Sequence, residues 1–294
     1  MIFPCLKKFF VLTILFNVTI ISAQSSESVK DAERFNSCKV ILKDGTELNG
    51  YIASFLETAR NIDYEDAWLT SAETTYNLID SEFEFRKNLE DRSTLYKQKY
   101  VKEVTLYYGD VIKPKTYKVL DLKYLDDDGQ LKKSYKTVWL PVLAKDEINI
   151  YSMIFWYRNS REKWNGDTKY YKKRRKMLTM TYLQNSKDDY VLSFANPFDD
   201  DLSSIFNRKK ITADVLRHIF RDCPNFIEKV VTKDKFNKDL YTVDKAPYKE
   251  KIRKVESNDA LSEPVKLLMI DEITTEMDNR SLLKLIEDYK SSCK

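Results

Sequence analysis

The chain changes its apolar period once, near Asn196, and that change constrains the fold more than any single motif does. Before it, short β-branched and aromatic runs are punctuated by Asp-Gly pairs. Cys38-Lys-Val-Ile-Leu-Lys43 and Thr46-Glu-Leu-Asn-Gly-Tyr-Ile52 flank Asp44-Gly45. Asp-Gly between two such runs predicts a tight hairpin, because glycine takes up a positive φ without steric cost. A second hairpin is expected at Asp126-Asp127-Asp128-Gly129, with arms Thr116–Leu125 and Gln130–Leu140. In its second arm Leu131, Tyr135, Thr137 and Trp139 share one face, while Lys132, Ser134 and Lys136 share the other. That is the period of a half-buried strand, broken by Lys133. Ile148–Tyr157, Tyr170–Leu183 and Tyr190–Phe194 read as further strands, the first ending in an apolar run that suits the middle of a sheet.

After Asn196 the signals are helical. Asn196-Pro197 reads as a helix start, with Asp199, Asp200 and Asp201 where the helix dipole favours negative charge. A stronger helix spans about Thr212–Asp222 and stops before Pro224. Asn225 and Glu228 have capping-box spacing and restart a helix beyond the proline. Leu282, Leu285, Ile286 and Tyr289 lie on one helical face within Ser281–Tyr289. Residues 232–260 read as loop, with a short helix near Tyr248. Strands and helices are segregated, so the fold class is α+β: an antiparallel β-rich N-terminal part followed by a helical C-terminal part. The expected division is a signal peptide over 1–23, a segment without structure over 24–36, a β-rich domain over 37–195 and a helical region over 196–294.

The signal peptide rests on three features in order. Lys7 and Lys8 are basic, Phe9 to Ile21 is an uncharged and largely apolar run of 13 residues, and Ser22-Ala23-Gln24 offers a small residue for cleavage. The run is shorter than the roughly 20 residues of a spanning helix. Cys5 precedes it, which argues against a lipid anchor placed after the run. The expectation is export to the periplasm or beyond, leaving a soluble mature chain that starts near Gln24.

Composition narrows the chemistry. Five glycines leave little material for a glycine-rich phosphate cradle, and a single histidine, His218, excludes a histidine-based zinc cluster. A catalytic triad would need His218, which falls inside an expected helix, and no Gly-x-Ser-x-Gly elbow occurs. The Asp126 run lacks calcium-loop ligands, since position 5 is Gln130 and position 12 is Thr137. No catalytic, cofactor-binding or metal residue is therefore assigned. Losing Lys7 and Lys8 lowers the net charge from +4 to +2, which implies no nucleic-acid partner. The distribution is uneven: residues 61–91 hold nine acids and two bases, and residues 158–176 hold nine bases and two acids. Lys172, Lys173, Arg174, Arg175 and Lys176 follow Tyr170-Tyr171 and are the anion-binding candidates, for an anionic glycan, a lipid headgroup or the acidic 61–91 segment itself. The plainer reading is an edge strand that its charge protects from aggregation. The function expected is a non-catalytic envelope or secreted protein that binds or supports; the alternative is a carboxylate-based hydrolase of glycan or peptide, since 46 acids allow many pairs.

The mature chain keeps Cys38, Cys223 and Cys293, enough for one bridge with one thiol left over. Cys223 and Cys293 both flank expected helices, and Cys38 shares the strand face of Val40 and Leu42, so Cys223–Cys293 is the expected pair. Four stretches also carry a resemblance: Val40 to Ile52, Trp139-Leu-Pro-Val-Leu143 to Ile150-Tyr151, Leu216-Arg-His-Ile-Phe-Arg-Asp-Cys-Pro224, and Cys293 close to the end. Together the chain resembles uncharacterised secreted proteins of flavobacteria and other Bacteroidetes. The resemblance implies an envelope location and a β-rich fold with a helical end, and the Cys-Pro pair and the terminal Cys look like features of that family. It implies no activity, and residues 57–100 and 158–176 depart from it.

Overall fold

Both Asp-Gly turns form, and each closes on the aspartate that opens it. At the first, Gly45 has φ +90° and the Asp44 carboxylate accepts the Thr46 N–H at 2.9 Å. At the second, Gly129 has φ +76° and Asp126 accepts the N–H groups of Asp128 and Gln130 at 3.0 and 2.8 Å. Asp126 is thus spent on the turn. A computed structural model describes residues 35–56, 62–63, 78–109, 112–126, 128–165, 168–194, 208–232 and 235–293. Over 62–63, 155–165, 168–178, 208–211, 235 and 238–239 it describes the backbone alone. The expected signal peptide and the Asn196–Asp201 helix start lie outside the described residues.

In chain order the strands are β1 (Asn36–Leu42), β2 (Glu47–Ala53), β3 (Ile62–Asp63), β4 (Glu82–Arg86), β5 (Thr94–Lys97), β6 (Val101–Tyr107), β7 (Lys115–Leu125), β8 (Leu131–Ala144), β9 (Ile148–Asn165), β10 (Thr168–Asn185) and β11 (Tyr190–Phe194). They form one sheet in the order β11-β10-β9-β8-β7-β6-β1-β2-β4-β5, with β3 beside β9. Strand β7 makes this sheet curl. One of its edges pairs with β8; the other pairs with β6 over Lys115–Lys118 and then with β11 over Asp121–Lys123. The β11–β7 pairing is parallel, and it closes β7 to β11 into a five-stranded ring. The rest of the sheet continues from β7 as an antiparallel extension.

Alternation then sorts side chains into three cores. Leu122, Val138, Leu140, Tyr151, Tyr182 and Val191 fill the ring. Trp139, one residue from two of these, enters the core of the extension with Val40, Ile52, Phe83 and Val104. Ile148, Ile150, Leu183, Leu192 and Phe194 leave the ring outward and meet the helices. The helices are α1 (Arg208–Ile219), α2 (Pro224–Val230), α3 (Ala246–Glu256) and α4 (Glu263–Ser292). Leu216, Ile219, Phe220 and Phe226 pack with Leu282, Leu285, Ile286 and Tyr289 of α4 over that outer face.

The structure is α+β, with strands first and helices after, as the period change predicts. Several details differ from the sequence reading. Tyr135, expected on the same face of β8 as Trp139, is 58% exposed, although Leu125 and Leu131 nearer the turn pack against the helix-facing core. Helix α2 begins at Pro224 with Cys223 before it and no side-chain cap, so Asn225 is inside the helix rather than capping it. A proline needs no N–H partner in a first turn, which makes the cap unnecessary. The short helix expected near Tyr248 is the 11-residue α3, whereas the small hairpin of β12 (Val231–Thr232) with β13 (Lys235–Phe236) in the helical end was not expected. Helix α4 has 30 residues where the apolar face read from sequence covered its last third.

Candidate functional site

Strands β9 and β10 each have 18 residues, far more than the ring uses. Pairing of β8 to β9 ends at Tyr151, and pairing of β11 to β10 covers Thr181–Leu183. Beyond those rungs, among the described residues, β9 and β10 pair only with each other and with β3, to Asn165 opposite Thr168. The ribbon so formed is about 40 Å long at 3.3 Å per residue. Such a two-stranded ribbon is marginal in water unless something packs against it.

The five anion-binding candidates all lie on this ribbon, and the register adds four bases beyond those five. Lys172 is opposite Arg161 and Arg175 is opposite Arg158, so two rungs pair like charges directly. Taking alternate rungs, Tyr157/Lys176, Asn159/Arg174, Arg161/Lys172 and Lys163/Tyr170 belong to one face, with five bases and no acid. The other face has Arg158/Arg175, Ser160/Lys173, Glu162/Tyr171 and Trp164/Lys169, with four bases and one acid. Like charges directly opposite each other destabilise a strand pair. Successive rungs of one face are about 6.7 Å apart, so the first face is a ladder of positive charge roughly 20 Å long. The signal that could have found the ladder was the spacing within 158–165, read against a hairpin centred on residues 166–167.

The acidic 61–91 segment touches the ribbon at one described place: β3 runs parallel to β9, with Ile62 opposite Tyr157 and Asp63 opposite Arg158. In its other described part, 78–91, β4 belongs to the extension, while Leu78 and Ile79 pack with the ring core. Leu78 plugs the gap where β8 and β9 diverge, accepting the Trp139 N–H at 3.0 Å and a Gln98 Nε2 bond at 2.9 Å.

Cys223 and Cys293 form a disulfide, with Cα atoms 5.9 Å apart, that ties the end of α4 to the start of α2. Cys38 is buried in the extension, and burial pushes its thiol up to about 12. His218 lies in α1, half-buried, with the Tyr190 hydroxyl 2.5 Å from Nε2. Beside it Arg221 makes two bonds to Asp188, at 2.7 and 2.9 Å. These groups bind the β10–β11 turn to α1. Among the described residues no three His, Cys, Asp or Glu gather as a metal set would, and no helix is long and apolar enough to cross a membrane.

No family model matches the chain, and no curated protein or solved structure matches it either.

Proposed function

We propose that this is an exported, non-catalytic binding protein of the cell envelope or its surroundings, which holds an anionic glycan on the β9–β10 ribbon. The observation that carries the reading is the register of the ribbon: Arg158 opposite Arg175 and Arg161 opposite Lys172. A ribbon that is marginal alone and repels itself at two rungs gains most from a polyanion laid along it. Export is supported by the basic, apolar, small-residue order of residues 1–23 and by the disulfide, since such bonds persist in oxidising compartments. The resemblance to secreted Bacteroidetes proteins agrees with that location. Among the described residues, β3 pairs with β9 only at Tyr157 and Arg158.

The test compares Arg161→Gln/Lys172→Gln with Lys132→Gln/Lys133→Gln, an equal charge change at the exposed tip of β8. A basic residue is worth about 1 kcal/mol at an anionic surface, so losing two ribbon bases should weaken heparin binding about 30-fold. The tip variant should bind heparin as the parent does, and binding should weaken as salt rises. Equal binding by the two variants would sink the assignment. Phosphatidylglycerol vesicles form the second arm: preference for them over heparin would replace the glycan by a lipid surface.

A further inference from the structure

A second opening lies away from the ribbon, between α4 and the side of the ring. It encloses about 410 Å³, within the range of small-molecule sites. It exists because β8 and β9 part company. Their ladder stops at Val142–Tyr151, next to Pro141, which has no N–H to continue it. Helix α4 then crosses the gap and is held off the sheet by a buried polar latch. Asn279 is fully buried, accepts the Thr181 hydroxyl at 2.8 Å and donates to Ser152 Oγ at 2.8 Å. Thr179 donates to Asp278 at 2.6 Å. A latch of short polar side chains fixes the spacing between helix and sheet, so the space beside it persists as a groove.

The shape of the groove follows from the helix. Leu268, Glu272, Thr275 and Leu283 all line it, a stripe along one side of α4. From Leu268 to Leu283 the helix rises about 22 Å, so the groove is long and narrow. Its character changes along that length. Leu283 packs against the same buried cluster as Leu143 of β8, and Pro141 and Val142 add further uncharged lining. From its middle towards Leu268 the lining includes balanced charges. Lys113 precedes β7 and Lys115 opens it, and Glu272 and Glu276 line the groove from one side of α4. Lys113 Nζ is 4.0 Å from Glu272, with the lysine side chain largely in solvent and the glutamate about half exposed, so the ion pair holds the lysine only weakly.

We infer that this groove binds a single-chain zwitterionic lipid, with its acyl chain along α4 towards Leu283 and its phosphate and ammonium between Lys113, Lys115, Glu272 and Glu276. An acidic headgroup alone would leave the two glutamates facing an anion, and a cationic one would leave the two lysines unmatched. A headgroup with both signs answers all four. The length and apolar lining exclude a free headgroup as the main ligand, because most of the enclosed surface would stay unfilled. The inference is independent of the ribbon, whose basic residues take no part in the groove.

The probe is lysophosphatidylethanolamine below its micelle concentration, titrated calorimetrically into the full protein. One-to-one binding is expected. Leu283→Trp, which fills the apolar end, should weaken binding tenfold or more, and Leu268→Trp should do the same from the other end should the first variant fold poorly by circular dichroism. Lys113→Gln/Glu272→Gln should weaken lysophosphatidylethanolamine about tenfold. Phosphoethanolamine without a chain should not bind detectably, and lysophosphatidylglycerol should bind at least fivefold more weakly. The inference is overturned if the zwitterionic lipid does not bind, or if folded groove-filling variants bind it as the parent does. Equal or tighter binding of lysophosphatidylglycerol overturns the headgroup assignment.

Discussion

His218 shows how much a single side chain can report in this chain. It is the one histidine, so one imidazole signal follows it without ambiguity. Burial holds its pKa below the ordinary value, the neighbouring Arg221 lowers it further, and Asp188 offsets part of the effect. The fold therefore favours neutral imidazole. As pH falls through about 6.5, the unfolded chain takes up a proton before the folded one does, so this contribution to stability is present above that pH and is lost below it. Nuclear magnetic resonance titration should place the His218 midpoint below 6.5. The urea midpoint should drop between pH 7.5 and pH 5.5, and drop less in His218→Gln. A His218 midpoint above 6.5 would mean that Asp188 outweighs burial and Arg221 together. From sequence, the residue could be placed inside a helix by its neighbours Leu216 and Ile219. Its contact with Tyr190, 28 positions away, is set by how β11 docks on α1 and leaves no local mark.

At the scale of elements, the Cys223–Cys293 bridge holds together what packing alone must otherwise align. It joins the end of α4 to the start of α2, beside a cluster in which the rings of Phe220, Phe226 and Tyr289 lie 4.8–5.4 Å apart. Closing a loop of sequence separation 70 restricts the unfolded chain by about 4 kcal/mol in the chain-entropy model. Cys293→Ser should therefore lower stability by about 2–4 kcal/mol in urea unfolding while the aromatic cluster keeps the helices docked. Cys38, 2% exposed, should resist thiol reagents in the folded protein and react only after unfolding. Native reactivity at Cys38, or no loss of stability in Cys293→Ser, would refute these expectations. The pair was legible because both cysteines flank helix signals. The length of α4 was not: Leu267, Leu268, Met269 and Ile270 are consecutive, so no single stripe marks its first half. The reason is visible in the packing, where α4 meets α3 as well as β9 and β10 and needs apolar residues on more than one side.

For the whole molecule, the legible and illegible parts divide by contact range. Hairpins closed by Asp44-Gly45 and Asp126 to Gly129 are written locally, and so is the change from strand to helix. Ring closure is not, because it depends on β11 meeting β7 some 70 positions earlier, with Tyr190 opposite Asp121. The groove is illegible for the same reason, since it gathers residues from Tyr108 to Leu283. The ribbon's charge was legible, but its pairing of like charges needed the register. These long-range joins also decide how the protein unfolds. Strand β8 places Val138 and Leu140 in the ring core and Trp139 between them in the core of the extension, all at 0% exposure. Losing the indole must then loosen both cores through one strand. Trp139→Ala should cost about 3–5 kcal/mol, as large-to-small changes at buried aromatics do. If the cores form one cooperative unit, native-state hydrogen exchange in Trp139→Ala should show protection falling by the same increment in both. The amides to compare are those of Leu122 and Val191 in the ring with those of Val40 and Val104 in the extension. A loss confined to Val40 and Val104 would mean that the extension opens on its own, and that β7 and β8 join two foldable parts rather than one.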